Sequence, residues 1–251
     1  EEMQKMDVDA SKMDEEWAVR PEVVIEYCLR DAELPLDIMH QIQAFRRKEA
    51  VAAVAKVSLD TSANGTTSQL IDSLVIRLAD RSEIGVPLTG SADKKEGQIT
   101  GGYVHDVEAG LHPWVAILDF KSMYPSIMIG KNICYTTRVD SGSTDQPSEG
   151  EIVYESPTGA KFRNEKSRQG MVPKLLENLM SQRDEHKSGM RNAKDDTIYS
   201  YHDQMQYAVK ILMNSFYGVF ASGFYRFTHR DLGSSITAWA RHNIKKIIQR
   251  L

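Results

Sequence analysis

Cysteine is nearly absent from this chain of 251 residues: only Cys28 and Cys134 occur. That excludes a disulfide scaffold and any zinc or iron–sulfur cluster built from cysteines of this chain alone. It suits a reducing compartment, so a cytoplasmic location is expected. Long apolar runs are missing too. A stretch such as Trp114–Leu118 is far too short to span a bilayer, so no membrane is expected as a partner. The first residues, Glu-Glu-Met-Gln, show no basic-then-apolar leader, and the chain does not begin with Met, so a piece of a longer product is expected. No internal repeat is visible. A strong net charge is also lacking, at −4 overall, which by itself does not suggest nucleic acid.

What is present is ordinary globular composition, 41% hydrophobic and 26% charged, enough for one large domain or two small ones. The charge is unevenly distributed. Residues 1–37 carry four Lys/Arg against twelve Asp/Glu, residues 161–194 nine against four, and residues 226–251 six against one. An acidic head and two basic segments are consistent with solvated helix faces, and equally with one side turned toward polyphosphate.

Local signals divide the chain. Pro21 suits the first turn of a helix through Val23, Val24, Tyr27 and Leu34, and Pro35 is expected to open a second with Leu36, Met39, Ile42 and Phe45 on one face. Asn64-Gly65 marks a turn, after which Thr66 or Thr67 caps a helix carrying Leu70, Leu74 and Leu78. Residues 89–101 read as a flexible loop or boundary. Val104–Val107 and Trp114–Phe120 read as strands joined by a bend at Ala109-Gly110, and residues 140–150 as an exposed loop. Glu151–Tyr154 and Lys161–Arg163 read as a hairpin. Two long helical patterns follow, about Val172–Asn192 and Thr197–Gly218, and their short link, Ala193–Asp196, makes them antiparallel neighbours. A last helix runs from about Asp231 to the end, with Leu251 inside its pattern.

Three constellations carry chemistry. At Ile117–Ile127 an apolar run leads into Asp119, and a Pro-initiated helix follows. A strand-end carboxylate can hold a divalent metal, and the free amides of Ser122, Met123 and Tyr124 can cradle an anion. Together these serve phosphoryl or nucleotidyl transfer. The same Asp could simply cap the helix. In Lys210–Gly218, Lys210, Asn214 and Tyr217 fall within about 60° of one helix face. They suit a triphosphate and a flat base or sugar, or alternatively a snorkelling Lys above a core Tyr. Arg183 and Lys187 stand four apart on the preceding helix, so their charges could converge on one anion or remain solvated.

These residues identify a resemblance. Asp119–Ile127 resembles the first polymerase motif of family B DNA polymerases, Asp-x-x-Ser-Leu-Tyr-Pro-Ser-Ile, and Lys210–Gly218 matches the second, Lys-x-x-x-Asn-Ser-x-Tyr-Gly. Tyr27–Asp31 looks like the third exonuclease motif, Tyr-x-x-x-Asp. The wording of Gly101–Val104 and Trp239–Arg241 is similar to archaeal members.

The resemblance implies an α+β fold: exonuclease-end helices, a partial palm with an antiparallel sheet, and helical-hairpin fingers. It implies the end of a 3′–5′ exonuclease over 1–48, connecting helices and linker over 49–101, the first part of the palm over 102–168, the fingers over 169–222, and a palm helix over 223–251. It further implies a DNA-dependent DNA polymerase using two Mg2+ ions. Asp119 and the Phe120 carbonyl would be metal ligands. Ser122, Met123, Tyr124, Arg183, Lys187, Lys210 and Asn214 would bind dNTP, with Tyr124 excluding a 2′-hydroxyl. Tyr217 and Gly218 would lie by the template and base pair. Asp31 would hold the exonuclease metal, with Tyr27 orienting water. Implied partners are primer–template DNA, dNTP, a second chain carrying the Asp-Thr-Asp motif and thumb, and an N-terminal exonuclease segment. Ile99-Thr100-Gly101-Gly102 departs from the family's Tyr-x-Gly-Gly linker, and Asp-Thr-Asp is absent. A non-catalytic, DNA-binding scaffold relative is the alternative reading, and a two-metal nuclease using Asp31 a third.

Overall fold

The computed structural model describes residues 8–88, 99–140, 142, 144–223 and 225–250. Most of the loop expected over 89–101, part of the one over 140–150, and Leu251 lie outside them. The chain divides into two units, Glu1–Lys48 and Glu49–Leu251.

In the first unit, Asp9 caps a 3-10 turn (Ala10–Lys12) by accepting from the Ser11 N–H at 3.0 Å. Helix α1 (Met13–Val19) follows, with Asp14, Glu15 and Glu16 in its first turn, where the positive end of the helix dipole favours them. Helix α2 (Pro21–Gln41) starts on Pro21 as expected. Pro35 does not open a new helix: α2 runs straight through it. The ring removes one donor, and the carbonyl it frees, on exposed Asp31, faces water, so the helix survives. The break comes instead at Ile42–Gln43, where Gln43 adopts a left-handed φ of 54°.

Helix α3 (Ala44–Ala55) has its buried residues, Ala50, Val51, Ala52, Val54 and Ala55, in the second unit. Nothing in the sequence pattern announced it, because its small Ala and Val side chains mark no single face. A short helix, α4 (Leu59–Asn64), is capped by Ser58 and stops at Gly65. Helix α5 (Thr67–Arg81) begins with a full capping box: Thr66 and Gln69 each satisfy the other's backbone amide. Its apolar stripe, Leu70, Ile71, Val75 and Ala79, is buried.

Helix α6 (Met123–Gly130) precedes a small antiparallel sheet of β1 (Arg138–Val139), β2 (Val153–Glu155) and β3 (Lys161–Arg163), ordered β1-β3-β2. The expected hairpin is β2–β3, with Tyr154 opposite Phe162, and Gly159 supplies its turn at φ 86°. Among the described residues, neither Val104–Val107 nor Trp114–Phe120 forms a strand. Both stand exposed, Val104 at 88% and Ile117 at 91%. Their composition favours strand, but a strand exists only through the ladder of a neighbour, and no described strand lies beside them.

Helices α7 (Met171–Arg191) and α8 (Asp196–Phe220) form the expected hairpin, with Asp195 capping α8 at the Ile198 amide. Helix α9 (Arg230–Ile248) is capped by His229. Leu176 and Leu179 of α7, Val209, Leu212 and Phe216 of α8, and Ile236 and Trp239 of α9 join Ile71, Met128 and Phe162 in one core. Among the described residues no helix is long and apolar enough to cross a membrane.

Near the hairpin tip, His186 of α7 and His202 of α8 meet, Nδ1 to Nδ1, at 3.0 Å. They stand about equally far from the link, which makes the helices antiparallel. Gly189 is needed there, since a Cβ would run into the His202 ring. Burial first, then the charge of His202, pushes the His186 pKa below its ordinary value, against a smaller opposing effect of Glu185. The unfolded chain therefore binds a proton more readily than the folded one. This contribution to stability is complete above about pH 6.5 and is lost as pH falls below it. Urea midpoints should drop between pH 7.5 and 5.5, and His186→Gln should flatten that drop; equal slopes for both proteins would assign the pH dependence to other groups.

Candidate active site

A cavity of about 520 Å³ opens where the run ending at Asp119 enters α6. Asp119 to Pro125 form one wall, Arg183 of α7 another, and Lys210 and Asn214 of α8 a third.

Local sequence explains the first wall. Ser122 takes the left-handed conformation, φ 51° and ψ 58°, and turns the chain sharply from Asp119 into α6. The turn is pinned twice: the Ser126 amide donates to the Ser122 carbonyl at 2.9 Å, and the Ser126 hydroxyl donates to the Lys121 carbonyl at 2.9 Å. Met123 and Tyr124 then occupy the first two helical positions, whose amides have no partner within the helix. These amides stand at the wall of the cavity, at the positive end of the helix.

The second and third walls are cationic. The Nε of Arg183 is buried, with no hydrogen-bond partner among the described residues. Lys210 and Asn214 lie one turn apart on the exposed side of α8, opposite buried Leu212, Met213 and Phe216. Lys187 does not line the cavity. It sits beside Arg183, whose charge is the first cause holding the Lys187 pKa down. Lys121 was not anticipated as a site residue; it lines the cavity and bridges to Asp184 of α7 at 3.1 Å.

Tyr124 packs against Tyr217 of α8, ring centroids 4.5 Å apart and planes tilted by 41°. Burial, then Tyr124, raises the Tyr217 pKa, while Arg241 acts in the opposite direction. Gly218 is exposed, with open space where a side chain would stand.

Among the described residues, Asp119 is the cavity's only lining carboxylate. Its oxygens and the Phe120 carbonyl are hard donors that suit Mg2+, but they amount to part of a coordination shell. Among the described residues no group of three His, Cys, Asp or Glu is placed to hold a metal ion. In the first unit, the Tyr27 hydroxyl hydrogen-bonds Asp31 one turn along α2, which raises the phenol pKa.

A carboxylate, a helix start and three cations surround one cavity, and comparison with known proteins gives the chain a family. The profile of DNA polymerase family B matches residues 57–251. The chain is 29% identical over 220 residues to the DNA polymerase delta catalytic subunit of Caenorhabditis elegans, covering 87% of this chain and 20% of that one. It is 31% identical over 227 residues to the Bos taurus delta catalytic subunit, covering 89% and 20%. To a DNA polymerase of Thermococcus sp. (strain 9oN-7) it is 30% identical over 233 residues, covering 92% and 29%. The chain thus spans between a fifth and three-tenths of these relatives. The fold is similar to the family B DNA polymerase of the archaeon Pyrobaculum calidifontis, with a TM-score of 0.77 at 24% identity over 97% of this chain and 31% of that one. The two motifs at the cavity fall inside the matched region, and the chain belongs to DNA polymerase family B.

Proposed function

We propose that this chain supplies the dNTP-binding wall and one metal-binding carboxylate of a DNA-dependent DNA polymerase active site. The observation that supports this reading is the convergence of Asp119, the α6 N-terminus, Arg183 and Lys210 on one cavity. In the reaction, a primer 3′-hydroxyl attacks the α-phosphate of a dNTP and pyrophosphate leaves. Asp119 and the Phe120 carbonyl are the groups that would hold Mg2+, which when bound polarises phosphoryl oxygens and favours the attacking alkoxide.

The remaining roles belong to the chain's own groups. The backbone amides of Ser122, Met123 and Tyr124 receive the β- and γ-phosphates. Arg183 offers a bidentate fork to the triphosphate and Lys210 a point charge, with Asn214 steadying that side. Lys187 adds positive potential from behind Arg183. The Tyr124 ring lies under the sugar, where a ribose hydroxyl would clash, and Tyr217 and Gly218 face the nascent base pair. A second carboxylate, needed for two metals, comes from an Asp-Thr-Asp motif on another segment or chain. Tyr27 and Asp31 contribute to a 3′–5′ exonuclease centre completed in the same way.

In the complete polymerase containing this chain, Arg183→Ala and Lys210→Ala should each lower kcat/KM for dNTP about 10- to 100-fold. That corresponds to losing one charge-assisted contact of roughly 1.5–3 kcal/mol. Primer–template affinity should change little, and Lys187→Ala should cost less than either. Weakened DNA binding with intact dNTP kinetics would make the hairpin a DNA-backbone surface instead.

A further inference from the structure

We infer that Arg241 is a positioning residue for sugar selection: by fastening the Thr100–Gly102 linker to α9, it holds the linker backbone against the Tyr124 hydroxyl. This rests on the reading that Tyr124 lies beneath the incoming sugar.

Three observations carry the inference. First, Arg241 Nη1 donates to two successive linker carbonyls, Thr100 at 2.8 Å and Gly101 at 2.5 Å. The bonds go to main chain, so they survive the linker's departure from the family pattern at Ile99. Second, the linker lies close upon α9: a Cβ at Gly233 would come within 2.8 Å of the Ile99 side chain. The linker is therefore seated by apolar contact at Ile99 and by hydrogen bonds one and two residues on. Third, a Cβ built on Gly102 would stand 3.3 Å from the Tyr124 hydroxyl. A side chain there would make the Tyr124 hydroxyl give by a few tenths of an ångström, so the linker backbone lies beside it.

Tyr124 thus has neighbours on two sides, the linker at Gly102 near its hydroxyl and Tyr217 at its face. Tyr217 belongs to α8 and Gly102 to the linker, so the ring's position depends on both. Arg241 is close enough to this group for its charge to act on Tyr217. A ring that rejects one extra hydroxyl must not yield, since discrimination by a clash vanishes when the clashing group can swing away. Arg241 acts through the linker on Tyr124, as a positioning residue and not a catalytic one.

The test is single-nucleotide incorporation by the complete polymerase, reading the ratio of kcat/KM for rNTP to that for dNTP. Arg241→Met keeps the apolar stem on α9 and removes the donors. It should raise the ratio about tenfold, the scale of one misplaced contact, with dNTP kinetics and DNA affinity near wild type. Arg241→Lys, which retains a donor, should restore part of the discrimination. Tyr124→Ala should raise the ratio at least as far, and adding Arg241→Met to it should change nothing more, because the two act as a unit. A shift with Tyr124→Ala but none with Arg241→Met overturns the inference and spares the role of Tyr124. Multiplying effects overturn it as well. No shift with Tyr124→Ala overturns the sugar reading and the inference with it. A separate measurement needs no catalysis: with fluorotyrosine incorporated in this chain, the 19F line of Tyr124 should move or broaden in Arg241→Met, and an unchanged line overturns the contact itself.

Discussion

Replacing Asp119 by alanine in the complete polymerase is expected to lower nucleotide incorporation about 1,000-fold or more. Among the described residues, Asp119 is the only carboxylate lining a cavity that otherwise presents Lys121, Arg183, Lys210 and a helix N-terminus. Without it, no described residue lining the cavity offers a hard anionic ligand, and the charges of Arg183 and Lys210 lose the carboxylate they share a cavity with. Electrostatic stabilisation through a bound metal is worth several kcal/mol, and each 1.4 kcal/mol or so is a factor of ten in rate. Asp119→Asn, which keeps the shape and loses the charge, should fail almost as badly, while Asp119→Glu should retain a trace of activity. Asp119 is exposed, so folding should be unaffected, and circular dichroism with urea unfolding checks this. Single-turnover primer extension in Mg2+ is the decisive measurement. Extension within tenfold of wild type would remove Asp119 from the chemistry.

The second large effect is on stability, at Asn132. This side chain is fully buried, at 0% exposure, directly after α6. Its amide nitrogen donates to the Arg163 and Arg168 carbonyls, each at 2.8 Å, and its amide oxygen accepts from the Gly170 N–H at 2.8 Å. One residue thereby ties the helix that begins at the cavity wall to β3 and to the start of α7. Alanine would leave the Arg163 carbonyl and the Gly170 N–H buried without this partner, at about 1–3 kcal/mol for each, and would free the partly exposed Arg168 carbonyl at less cost. Asn132 also holds a left-handed φ of 49°, which asparagine tolerates better than alanine. The sum should be at least about 3 kcal/mol in urea unfolding of this chain. Asn132→Asp should be no better, because a carboxylate cannot donate to either carbonyl. A loss under about 1 kcal/mol would mean that the cluster relaxes or admits water.

What the sequence discloses follows from the range of the interactions involved. Helix starts at Pro21, Thr66 and Asp195 depend on neighbours within three or four residues, so caps announce them. The hairpin of α7 and α8 was visible because its link is short and its faces periodic. The convergence of Asp119, Arg183, Lys210 and Asn214 was legible through motifs quoted residue by residue, although spacing alone left each open to a plainer use. Lys187 shows the limit of spacing: four residues place it on the same side as Arg183, yet only Arg183 reaches the cavity. The strands expected at 104–107 and 114–120 failed for a different reason, since strand character is a relation between segments and no single segment contains it. His186 with His202, and Arg241 with the carbonyls of Thr100 and Gly101, are contacts across 16 and about 140 residues. No local pattern encodes them, and the carbonyls are chemically anonymous in a sequence.

The exposed run before Asp119 gives the chain an optical property. Of its three tryptophans, Trp239 is 6% exposed inside the core, Trp17 about half exposed at 53%, and Trp114 entirely exposed at 100%. An indole in water emits at longer wavelength than one in an apolar interior, so Trp114 dominates the red edge of the emission and Trp239 the blue. Iodide or acrylamide reaches Trp114 first. Any molecule that lies over the segment five residues ahead of the carboxylate registers as a blue shift and loss of quenching at that single residue, with no label added. A Trp114→Phe chain supplies the blank.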